Sequence, residues 1–218
     1  MSSKLFDSDD YKNVETATKA LLSLEPNFLS VRGTSPRSVG DALQEIVAER
    51  LQTVLPLYIR GYRNNFERRA MADIAFNDDE NNQYVIDVKT HLVSATFGMP
   101  NLTSVERLAN FYENNRHYFV VLSISYELVQ TNLSILDVKF VPIEFLGWDC
   151  LTIGALGTGQ IQIANARRIT VNPHFSRKAW MLTFFDRLIA FYEKEKIKTD
   201  RRLEDTITRQ SQWILRNE

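Results

Sequence analysis

The chain is short of the residues that several kinds of site require. It holds one cysteine, Cys150, so no intrachain disulfide can form and a reducing, cytoplasmic setting is expected. None of His91, His117 and His174 has a neighbour at metal-ligand spacing, and no Gly-x-Ser-x-Gly elbow is present, which leaves zinc hydrolysis and serine-triad chemistry without support. Gly154, Gly157 and Gly159 fit neither a dinucleotide-binding fingerprint nor a P-loop, and a tight turn entering a strand at residues 160–163 is expected there instead. No apolar run reaches membrane-spanning length, and the early Asp7, Asp9 and Asp10 are unlike a signal-peptide core, so no membrane partner is expected. Charge of one sign is lacking as well. With a formal net charge of -1, any DNA binding must come from a local basic surface.

What remains is the composition of a soluble globular protein, 44% hydrophobic and 24% charged over 218 residues, which suits a single domain with one sizeable core. The stretch that organises it is residues 73–91. Residues 72–76 are mostly apolar, 84–88 are rich in β-branched and aromatic side chains, and 77–82 form a polar turn cluster, so the pattern predicts a β-hairpin. With the loop centred on residue 80, Asp73 lies opposite Asp87, and the two-residue strand period puts Lys89 on the same face. Two carboxylates held together repel unless a cation lies between them. Aspartate oxygens suit Mg²⁺, and a lysine beside them can stabilise charge or position a nucleophile during attack on phosphorus. Asp-x-Lys alone is common in strands. A second copy, Asp137-Val138-Lys139, lacks an upstream acid in easy register, since pairing it with Glu127 would need a nine-residue connection, and it is read as ordinary strand.

Around the hairpin, helical spacing predicts helices over residues 11–25, 41–55 and 102–114, and one from a cap at Ser176 to about residue 196 with Trp180, Phe184, Phe185, Leu188, Phe191 and Tyr192 as an apolar stripe. A further polar helix over the last twenty residues carries Arg201, Arg202 and Arg209 and either meets DNA backbone or sits in water. Strands are expected at residues 117–126 and 133–141. A polar loop over residues 31–40 carries Arg32 and Arg37. Arg60, Arg63, Arg68 and Arg69, with Asn64 among them, form either a solvated loop or a phosphate-contacting rim.

Asp73 followed by Asp87-Val88-Lys89 resembles the motif of the PD-(D/E)XK nucleases, with Ala72 where the superfamily name has proline. The likeness to type II restriction endonucleases of the HincII and EcoRV branch extends to Gly33-Thr34 ahead of the Gly40 helix, Thr90 after the motif, Pro100-Asn101 with Ser104, Leu108-Ala109, Gln160-Ile161-Gln162, and Arg177 ahead of Trp180. That resemblance implies an α/β (α+β) single-domain restriction-endonuclease-like fold, a central mixed β-sheet flanked by helices. It implies Mg²⁺ held by Asp73, Asp87 and the Val88 carbonyl, with Lys89 by the attacking water. An acid on the helix after Gly40 is Glu45, or its place is taken by Gln44. Candidate DNA contacts are Thr90, His91, Ser94, Thr96, Asn101 and Ser104, with Arg32, Arg37 and Asn64. The implied partners are double-stranded DNA bearing a short palindromic site, a second copy in a homodimer, and a cognate methyltransferase. A structure-specific nuclease and an inactive DNA-binding module are the alternatives.

Overall fold

The structure, a computed structural model, describes residues 3–24, 35–66, 71–95, 99–129, 132–164, 166 and 169–216. Arg32, Arg68, Arg69 and Thr96 lie outside them, as does the Gly33-Thr34 pair. Five strands form a mixed sheet in the order β1 (Arg60–Arg63), β2 (Ile74–Asn77), β3 (Gln83–Leu92), β5 (His117–Val129), β6 (Asn132–Pro142). The β3–β5 pair is parallel and the other neighbours are antiparallel. The connection between β3 and β5 carries β4 (Asn101–Ser104) and a short helix, as a parallel pair requires. A second, antiparallel sheet has the order β4, β8 (Gln160–Ile163), β7 (Leu151–Gly154). The chain is thus one mixed α/β domain whose central sheet is flanked by helices, as expected.

Phe6 anchors the start of the chain. It sits in the helix α1 (Lys4–Asp7), and its ring lies within 6.1 Å of Tyr11, Tyr84, Tyr118, Phe140 and Phe145, so one side chain joins α1 to three strands. Helix α2 (Asp10–Ser23) follows and buries Tyr11, Val14 and Leu22. The next helix, α3 (Pro36–Arg50), begins five residues earlier than its apolar spacing predicts, because Ser35 caps it by accepting from the Ser38 N–H and Pro36 occupies the first turn, where no N–H is needed. Gly40 lets α3 approach β3: a Cβ there would stand 2.7 Å from Thr90 Oγ1.

The helix expected over residues 102–114 starts later. Residues 101–104 are strand β4, and only Val105–Phe111 is helical, as α4. The two helices expected after residue 176 are a single one, α5 (Arg177–Ile214), capped by Ser176 and uninterrupted for 38 residues. Its first turn is tied down by Arg177, whose Nε donates to the buried Glu144 carboxylate (2.8 Å) while Tyr112 donates to the other oxygen (2.6 Å). Among the described residues no helix is long and apolar enough to cross a membrane.

Candidate active site

The hairpin has the register read from its sequence. Ile74 pairs with Ile86 and Asn77 with Gln83, which extends to Asp73 opposite Asp87. Asp78 sets that register, and its role was not recognised in the sequence. Its buried carboxylate accepts from the Glu80 and Asn82 N–H groups, the Asn82 amide and the Tyr84 hydroxyl, and so closes the loop over residues 78–82. Asn81 takes the left-handed conformation the turn needs, at φ 62°.

Asp73 lies just before β2 and is exposed, yet it is fixed at both ends. Its N–H donates to the Ile86 carbonyl (2.9 Å), and its Oδ2 accepts from the Val88 N–H (2.7 Å). Asp87 points into the fold at 6% exposure, and its Oδ1 accepts from Lys89 Nζ at 2.7 Å. Asp87 Oδ2 is buried and has no hydrogen-bond partner among the described residues. A buried carboxylate oxygen without a donor is costly, and none of the described residues satisfies it. Burial pushes the Asp87 carboxyl up to about 7, with the nearby Asp73 adding to the rise and Lys89 opposing it. Burial, more than the repulsion between the acids expected from the sequence, is the cause.

The Val88 carbonyl, which faces α3, accepts from Gln44 Nε2 at 2.9 Å. Of the two residues weighed on that helix, Gln44 makes this contact and is half-buried, whereas Glu45 is exposed. Among the described residues no three His, Cys, Asp or Glu side chains are grouped so that they could hold a metal ion. The donor set is therefore two carboxylates and a main-chain carbonyl that has a second lone pair. It fits Mg²⁺, which takes one or two protein carboxylates and completes its shell with water and phosphate oxygens. The unsatisfied Asp87 Oδ2 is the observation that fits a cation.

Beyond Lys89 the strand runs into a cleft of about 460 Å³ lined by Arg37, Gly40, Asp41, Thr90, His91, Met99 and Pro100 among others. Three candidate DNA contacts, Arg37, Thr90 and His91, thus meet at the end of the hairpin, and Ser94 lies exposed in the turn after β3. Asn101 is exposed on β4, where its Oδ1 accepts from Gln162 Nε2 (2.6 Å) across the small sheet. Two other candidates have structural duties. Asn64 Nδ2 donates to the Ala48 carbonyl (2.7 Å) near the end of α3, and Ser104 caps α4 by accepting from the Arg107 N–H (3.2 Å). Ser104→Ala is accordingly expected to lower stability by about 1 kcal/mol in a urea melt while leaving the sequence specificity of any DNA cleavage unchanged.

The second Asp-x-Lys gives the internal comparison. Register shifts by one residue at Ser125–Tyr126, so Asp137 faces Ser125 and Lys139 faces Ser123, while Glu127 faces Ser134. Asp137 and Lys139 pair with each other at 3.2 Å on the surface, with no acid opposite either. A cavity of about 800 Å³ lies elsewhere, beside Tyr112, Glu144 and Arg177, where the carboxylate is already satisfied by a guanidinium and a phenol.

No family model matches the chain, and no curated protein matches it.

Proposed function

We propose that the chain is a Mg²⁺-dependent endodeoxyribonuclease of the type II restriction kind, cutting duplex DNA at a short palindromic site. The observation that carries this reading is the Asp73, Asp87 and Lys89 constellation on one hairpin face, in which one oxygen of a buried carboxylate is held by lysine and the other is left for a cation. The resemblance of this motif and its flanking residues to the PD-(D/E)XK nucleases supports the same reading.

Mg²⁺ held by Asp73, Asp87 and the Val88 carbonyl supplies the positive charge that a pentavalent phosphorus transition state needs. The protein does the rest. The Val88 N–H fixes the Asp73 carboxylate, and Gln44 fixes the Val88 carbonyl, so both donors hold their places before substrate arrives. Asp87 aims the Lys89 ammonium at the face where water attacks, and the ammonium orients that water and offsets charge gathering on the phosphate. Water adds its oxygen to phosphorus and gives up a proton to solvent, the bond from phosphorus to the 3′ oxygen breaks and that oxygen takes a proton from solvent, and the products are a 5′-phosphate and a 3′-hydroxyl. Arg37, Thr90 and His91 stand where the duplex would enter, and Arg37 is free to fork onto phosphate because its pairing with Asp41 is long (4.0 Å) and exposed.

One active site per chain cuts one strand, so a symmetric pair on a palindrome is the economical arrangement, and a methyltransferase of the same specificity would protect the host's own sites. The test is digestion of a long DNA of known sequence with Mg²⁺ and with EDTA, using wild type and Asp73→Ala. Discrete fragments that need Mg²⁺ and Asp73 are expected. Cutting confined to branched DNA would assign a structure-specific nuclease, and undiminished cutting by the Asp73 variant would sink the site.

A further inference from the structure

Helix α5 carries two apolar faces. One packs on the body, with Trp180, Phe184 and Leu188 buried. The other faces outward: Leu182, Phe185, Ile189 and Tyr192 are 57%, 41%, 58% and 44% exposed, at the alternating three- and four-residue spacing of a helical stripe. From Lys196 to Ile214 the helix leaves the body and every residue is exposed, yet the same stripe continues through Leu203, Ile207 and Ile214 at 59%, 53% and 77%. A projecting helix with an apolar stripe about 48 Å long at 1.5 Å per residue is poorly stabilised alone and calls for a covering surface.

The arrangement of the stripe names the partner. Four of its seven apolar positions are symmetric about residue 198, Leu182 with Ile214 and Ile189 with Ile207, as are Lys196 and Asp200, the one charged pair within the stripe; Tyr192 and Leu203 come within one residue of the same symmetry, and Phe185 has Ser211 as its counterpart. Lys196 and Asp200 already attract each other at 3.0 Å along the helix. When two such helices lie antiparallel across a two-fold axis at the level of residue 198, Leu182 meets Ile214 of the partner subunit, Ile189 meets Ile207 of the partner subunit, and Lys196 meets Asp200 of the partner subunit, each contact occurring twice. A parallel pair would put Lys196 against its own copy, so charge selects the antiparallel arrangement. Glu193 and Glu204 flank the stripe and can turn to water, where salt screens them.

We propose that α5 is a self-association helix and that the chain forms an antiparallel, helix-paired dimer through this face. The seven large apolar side chains contributed by each copy are in keeping with an interface on the scale of roughly 1,600 Å². Helix α5 alone carries this proposal. It specifies the dimer that the endonuclease reading calls for, but an active monomer or an inactive dimer would separate the two.

Sedimentation of the full chain at micromolar concentration is expected to give twice 25.2 kDa. The pair Ile189→Asp with Ile207→Asp, both at exposed positions, is expected to give a monomer that keeps the cooperative melt of the body and loses helical circular dichroism only to the extent of the projecting part of α5. Register is read by cross-linking: Ile189→Cys and Ile207→Cys, oxidised separately, should stay unlinked, and oxidised as a mixture should give a disulfide-bonded pair, with the buried Cys150 as a silent background. A monomeric wild type, a dimer indifferent to the aspartate pair, or either cysteine variant linking to itself would overturn the proposal. DNA cleavage by the same samples reports on the nuclease reading separately.

Discussion

Lys89→Ala is expected to slow single-turnover cleavage of a cognate duplex by about 10²- to 10⁴-fold, with DNA binding in a gel shift little changed. The size of the effect comes from placement. The Lys89 ammonium is held at 2.7 Å by a carboxylate that is itself buried, so it needs little reorganisation to act, and alanine leaves nothing of similar reach on that strand face. The variant should fold, because the lysine side chain is one-fifth exposed and removing it opens the site to water rather than emptying the core. Lys139→Ala is the matched control. The same dipeptide spacing lies on β6, on the surface, with serines opposite, and its loss should leave the rate at the wild-type value. Equal loss in both variants would mean that a general charge effect on DNA binding, and not the hairpin site, governs cleavage.

The contrast between these two Asp-x-Lys pairs shows which part of the site local sequence could carry. Pairing register is a short-range property where a polar loop is symmetric, and the loop at 78–82 is held by its own Asp78, so Asp73 opposite Asp87 was readable. The overall mixed sheet with flanking helices was readable too, because strands such as residues 117–126 are too short and β-rich to be anything else. What could not be read depends on residues far away. Strand β4 exists because Asn101 pairs with Gln162 and Ser104 with Gln160, some sixty residues on, whereas its local spacing suits a helix. The choice between Gln44 and Glu45 turns on which of two adjacent helix positions looks at β3, and Gly40 sets that rotation by admitting Thr90. Ser35-Pro36 carries a helix-start signal, but the run of loop-forming residues beside it masks that signal. The apolar side of α5 that packs on the body ends near residue 196, so its sequence suggests two helices there, although no glycine or proline interrupts the one that forms. A change of surroundings along a helix is not a change of conformation.

Asp87→Asn is expected to do the opposite of most active-site losses and make the metal-free protein more stable at alkaline pH. Burial raises the Asp87 carboxyl from 3.8 to about 7, so between those values the native state holds a proton that the unfolded chain has released. The stabilisation tied to that proton is complete below pH 3.8 and is lost as pH rises through 7, by roughly 4 kcal/mol in all. Asparagine has nearly the same shape and carries no charge to bury, and its amide offers a donor beside Asp73. Urea melts in EDTA should therefore show the two proteins close together near pH 4 and the variant ahead by an amount approaching that figure at pH 8. Adding Mg²⁺ at pH 8 should raise the wild-type midpoint, because a ligand of the native state stabilises it by mass action, and should leave the variant where it was. A variant less stable than wild type at pH 8 in EDTA would mean that the ion pair with Lys89 outweighs the burial of the carboxylate. Stability given up by the apo protein at this one oxygen is then the counterpart of cation affinity, and the two should fall and rise together across substitutions at position 87.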